Sequence, residues 1–65
     1  MPKPVVVCSP GVVVPAADDM GPWVFMVGSS KIQIHCSYRA AEQIAIGDAI
    51  DQKIDTVTFH GRLRL

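Results

Sequence analysis

The run from Gly21 to Ser37, G-P-W-V-F-M-V-G-S-S-K-I-Q-I-H-C-S, narrows the possible folds more than any other part of the chain. Two apolar-rich runs flank a Gly-Ser-Ser turn, which is the pattern of a β-hairpin. In the second run Ile32, Ile34 and Cys36 share one face, and Lys31, Gln33 and His35 share the other. In the first run Trp23 and Phe25 share a face, with Val24 and Met26 opposite. Assigning Val24, Met26, Ile32, Ile34 and Cys36 to the core leaves Trp23, Phe25, Lys31, Gln33 and His35 pointing outward. Aromatic rings to stack on bases, beside cations to meet phosphates, suit a single-stranded nucleic acid.

A chain of 65 residues makes a single domain, residues 1–65, with a thin stability margin. Nine Val and six Ile against two Leu favour strands over helices. The formal net charge is zero, whereas a generic polyanion binder is visibly basic. The zero is an unequal distribution: Glu42, Asp48, Asp51 and Asp55 cluster around Lys53, and Arg62 and Arg64 lie at the other extreme of the segment. Such a distribution allows one acidic and one basic surface, and electrostatic self-association. No secretory signal is read at the N-terminus, and no apolar stretch approaches the roughly 20 residues of a membrane span, so a cytoplasmic chain with no membrane partner is expected. Cys8 and Cys36 are then reduced thiols, read as small buried hydrophobes, although one disulfide is compatible with the sequence.

Along the chain, residues 4–8 and 11–15 are β-branched runs around Ser9-Pro10-Gly11-Val12, which fits a type II turn. They form a small hairpin or one strand kinked at Pro10-Gly11. Residues 15–22 read as a loop. Ser37 is a candidate cap for a short helix from Tyr38 to about Ile46, with Tyr38, Ala41, Ile44 and Ala45 on one stripe and Gly47 as its stop. Ile50, Ile54 and Val57 anchor the next segment, with a bulge expected near Asp55-Thr56. The last residues alternate throughout, either as one long strand or as two strands joined at His60-Gly61; a small barrel favours the two-strand version. The expected fold is therefore all-β: a small five-stranded barrel of the OB type, with one short helix between strands 3 and 4.

The chain resembles the S-one type RNA-binding domain, the OB-fold repeat of the largest small-subunit ribosomal protein, which also occurs in polynucleotide phosphorylase. The resemblance rests on Asp19-Met20-Gly21-Pro22-Trp23-Val24, on Ile34-His35-Cys36-Ser37, on Ile46-Gly47-Asp48-Ala49-Ile50 and on Val57 to Leu65, with Gly11-Val12-Val13 at the first strand. It implies a non-catalytic module that binds single-stranded RNA or DNA. Met20 stands where the family has an aromatic, Thr58 replaces an Asp, and the chain is less basic than the family. These departures point to an alternative: the same barrel as a protein-interaction or assembly module, with a ribosome, another protein or a second copy as partner.

The nucleic-acid site on this reading consists of Trp23 and Phe25 as stackers, His35 and Arg62 as polar contacts, Lys31 and Arg64 as added charge, and Met20 packing on a base. Against it stands core or interface packing for Trp23 and Phe25, and a solvated strand face for Lys31, Arg62 and Arg64. Cys8, Cys36, His35 and His60 lack the paired spacing of a zinc site, so no metal or other cofactor is expected. Asp18 and Asp19 sit beside Gly and Pro, where Asp favours turns for its own reasons, and no nucleophile elbow or phosphate loop is present, so no enzyme is expected.

Overall fold

The computed structural model describes residues 3–63. The elements run β1 (Val5–Cys8), β2 (Trp23–Val27), β3 (Ser30–Ile34), α1 (Tyr38–Asp51) and β4 (Thr56–Arg62). They build one four-stranded sheet in the order β1-β4-β2-β3. β1 runs parallel to β4, while β2 is antiparallel to both β4 and β3. The sheet is open and mixed, and α1 packs against one of its faces, so the fold is α/β. This corrects the expected closed all-β barrel of five strands. Two separate departures remove the barrel. Residues 11–15 find no strand partner after the turn at Ser9–Val12, which the Val12 N–H closes on the Ser9 carbonyl at 3.0 Å. The final segment is one strand, not two.

The hairpin forms where the sequence places it, but its register inverts the expected faces. Val27 pairs with Ser30, so the loop is the two residues Gly28 and Ser29 rather than three. Gly28 takes a φ of +61°, as the first position of a type II′ turn requires. That register sets Trp23 opposite Ile34 and Phe25 opposite Ile32. The aromatic face and the isoleucine face are therefore the same face, and it is the core. A one-residue difference in loop length exchanges the two faces of one strand relative to its partner. Trp23 is 3 % exposed and Phe25 is fully buried, which corrects their assignment to the outer face.

β4 contains the bulge, at His60 rather than near Asp55-Thr56. Val24 pairs with Gly61 and Phe25 with Phe59, leaving His60 as the extra residue. Gly61 has a φ of +90°, a conformation that only glycine adopts readily, and so supports a bulge within one strand instead of a turn between two. Upstream of the bulge Val57 and Phe59 are fully buried; beyond it Arg62 pairs with Trp23.

Ser37 caps α1 as expected, its Oγ accepting from the Ala40 N–H at 3.4 Å. The helix passes Gly47 and ends at Asp51, because Ala49 beyond it is fully buried against the sheet. Ala41, Ala45 and Ala49 share the inward stripe with Tyr38, and their small side chains bring the helix close to the sheet. Ile44 points outward and is 54 % exposed, correcting its place on that stripe. The helix stops in a Schellman arrangement: Lys53 N–H donates to the Ile50 carbonyl at 3.1 Å and Ile54 N–H to that of Ala49 at 2.8 Å. Lys53 occupies the left-handed position with φ of +58°, where glycine is usual. Lys53→Gly therefore stabilises the fold by about 1 kcal/mol, read as a higher urea midpoint at unchanged slope.

Candidate functional site

The site follows from what the helix covers and what it leaves open. Trp23, Phe25, Tyr38 and Phe59, which are all of the aromatic residues in the chain, form one cluster between sheet and helix. Tyr38 meets Phe59 edge-on at a centroid distance of 4.9 Å and Phe25 meets Phe59 at 5.0 Å. Trp23 lies 5.9 Å from Tyr38 and donates its Nε1–H to the Cys36 carbonyl at 3.0 Å. Neither Trp23 nor Phe25 is placed to stack on a base.

The opposite face of the sheet has no layer over it among the described residues. In-register pairing lays Val7, Thr58, Met26 and Lys31 across all four strands. Val5 pairs with Thr56 on one side of that row, and Val24 with Gln33 on the other. Val5 is 60 % and Val7 42 % exposed, Met26 is half-buried, and Val24 is buried among its neighbours. The face is thus apolar along the β1 edge and on β2, with Thr56 and Thr58 of β4 between them. A shallow depression of about 480 Å³ lies here, lined by Val24, Met26, Lys31, His60, Arg62 and Leu63. Among the described residues its charged groups are all basic or imidazole, and no carboxylate lines it.

The expected site residues divide accordingly. Lys31 lines the depression and Arg62 stands at its end, while His35 is exposed one residue beyond β3. Met20 is 60 % exposed on the 15–22 loop, bridged to Ser37, and is not part of the depression. Arg64 lies outside the described residues. His60, considered in the sequence only as a metal ligand, belongs to the open face, its Nδ1 lying 3.0 Å from Ser9 Oγ. Val24 and Met26, expected in the core, lie instead on this second face, Met26 half-buried and Val24 buried, because the hairpin register exchanges the two faces.

Arg62 has a structural task. Its guanidinium sits over the Trp23 ring at 4.6 Å and donates to the carbonyls of Met20 at 2.8 Å and Gly21 at 3.1 Å. It also pairs with Asp19 Oδ1 at 3.2 Å. These contacts hold the 15–22 loop to the end of β4. A second cleft, of about 300 Å³, lies between residues 11–15 and this end of β4 and is bounded by the same Asp19–Arg62 pair. Cys8 is an exposed free thiol and Cys36 a half-buried one, which corrects the expectation that both are buried. Among the described residues no group of three His, Cys, Asp or Glu side chains could hold a metal ion, and no helix is long and apolar enough to cross a membrane. No family model matches the chain, and no curated protein or solved structure matches it significantly.

The cluster generates three predictions. Trp23→Ala removes the ring that carries the Arg62 guanidinium on one side and Tyr38 on the other, at a cost of about 3–5 kcal/mol. For a domain of this size that is most of the stability, so far-UV circular dichroism reports a largely unfolded chain. Arg62→Ala, which breaks exposed contacts, costs about 1 kcal/mol and leaves the chain folded. Burial, together with a hydrogen bond to and the charge of Glu42 and the charge of Cys8, pushes the Tyr38 phenol from 10.0 up to about 12. The folded state thus holds its proton where the unfolded state has lost it. That contribution to stability is complete below pH 10 and is lost as pH rises from 10 to 12. Tyr38 is the sole tyrosine, so phenolate absorbance of the folded protein titrates near 12 and the urea midpoint falls across the same window.

Proposed function

We propose that this chain is a non-catalytic assembly module whose open sheet face docks a second copy of the same chain. The observation that carries this reading is a sheet face with a layer on one side only, on which Val5 and Val7 are exposed at 60 % and 42 % and are separated from Met26 and Val24 by Thr56 and Thr58 of β4. A sheet with apolar residues on both faces belongs to folds in which both faces are covered. A standard interface takes about 800 Å² per partner, roughly a fifth of the 4297 Å² that this molecule exposes, so only a whole face of the molecule is large enough. A net charge of zero removes the long-range repulsion that keeps most small domains apart.

The nucleic-acid reading keeps support from one feature, the basic lining of the depression by Lys31, His60 and Arg62. It has lost its stacking platform, because all four aromatic rings are in the core. Phosphate contact alone would leave a weak, sequence-independent and steeply salt-dependent binder.

Sedimentation velocity over a concentration series, beside a titration of short single-stranded RNA and DNA at low salt, separates the two. The expected result is a mass that rises with concentration and no saturable shift in oligonucleotide anisotropy. A strict monomer at millimolar concentration sinks the assembly reading. Salt-sensitive oligonucleotide binding by that monomer restores the nucleic-acid one.

A further inference from the structure

The second broad face of the molecule, the outward side of α1, is apolar as well. Ala40, Ile44, Gly47 and Asp51 fall on one stripe at helical spacing, with Ile50 beside it, and all five are exposed. Ile44 and Ile50 are 54 % and 46 % exposed. Gly47 interrupts the helix interior, where it costs about 1 kcal/mol relative to Ala. Nothing within the molecule makes use of it: a Cβ at this position would meet no atom within 4 Å. A helix stripe without a side chain at its middle lets another surface come close to the helix backbone.

The two faces also differ in charge. Asp51 on the outward stripe, Asp48 at its flank and Asp55 just beyond α1 outnumber Arg39 and Lys53 there, while Glu42 turns inward to Tyr38. The last turn holds no basic residue to offset the negative end of the helix dipole. The depression on the open sheet face is lined by Lys31 and the His60 imidazole with no carboxylate among the described residues, the guanidinium of Arg62 at its end being held by Asp19 and Trp23.

We propose that copies of this chain stack head to tail, the outward side of α1 in one copy lying on the open sheet face of the next. The proposal rests on the reading of the open face as a self-association surface and names what that face receives. Each sheet then gains from its neighbour the second helix layer that its own chain does not supply. Sheet on helix sets Lys31 of one copy against Asp48 and Asp51 of the next, an attraction that sheet on sheet does not offer. Such a contact uses two different surfaces, so it repeats into a ring or filament and does not stop at a dimer.

Two substitutions at exposed positions test the arrangement. Val7→Glu alters the sheet face and leaves α1 intact; Ile44→Lys does the reverse. Circular dichroism first establishes that both are folded. In sedimentation experiments the wild-type mass is expected to grow past a dimer with concentration and to recede with added salt. Each variant alone is expected to run as a 7.0 kDa monomer. Mixed, the two are expected to form a one-to-one complex and nothing larger, since each retains the surface that the other lacks. Gly47→Ala is expected to melt at a higher temperature and yet to assemble roughly tenfold more weakly; unchanged or tighter assembly overturns the close approach at Gly47. If Ile44→Lys still dimerises alone, the sheets face each other: head-to-tail stacking fails and the reading of the open face survives. If Val7→Glu still dimerises alone, or the wild type is monomeric throughout, both fail. A mixture of the two variants that stays monomeric also overturns the stacking.

Discussion

Everything in this fold is arranged around four aromatic rings. Trp23 and Phe25 come from β2, Phe59 from β4 and Tyr38 from the first turn of α1, so the cluster joins the two central strands to the helix. Each ring removes far more apolar area from water than a valine does, and edge-to-face contacts add to that. Once these rings occupy one side of the sheet, the remaining assignments follow. Ile32 and Ile34 join them through the hairpin register, and alanines line the helix stripe that lies over them. Val24, Met26, Val5 and Val7 are left on the other side. The open face is thus a consequence of where the largest side chains had to go.

Arg62 shows how a residue with the chemistry of a ligand contact can serve the fold. Its stacking on Trp23 and its bonds to the Met20 and Gly21 carbonyls occupy the planar fork that would otherwise grip a phosphate. The bulge at His60 makes this possible: the extra residue shifts the alternation of β4, so that Arg62 arrives beside Trp23. Lys31 has no comparable attachment to the core and remains the cation of the open face, beside the His60 imidazole.

Local signals in the sequence were legible and long-range ones were not. The hairpin, the Ser37 cap and the turn at Ser9–Val12 depend on residues close together in the chain, and all three are present. Which hairpin face is buried depended on whether Ser30 belongs to the turn or to β3, a choice that alternation alone does not make. The end of α1 was hidden because Lys53 holds a conformation for which glycine is the usual signal. The fragment Ile46-Gly47-Asp48-Ala49-Ile50, on which the S-one resemblance partly rests, lies inside α1. The parallel pairing of β1 with β4 left no mark in either segment. As for the candidate site, Lys31 was legible as an outward strand position, whereas the valines beside it carry the same pattern whether a face is covered or bare.

The position of β4 has a consequence for how this fold is reached. It comes last in the element order, yet it lies between β1 and β2 and is the only neighbour of β1 among the described residues. Until Thr56–Arg62 is available, β1 has nothing to pair with, and the β2–β3 hairpin lacks Val57 and Phe59 for its core. An emerging chain can form the hairpin and the first turns of the helix, both local, but not a sheet that spans them. The valines of β1 therefore stay unpaired until β4 is available, and in that interval they are exposed to the wrong partner.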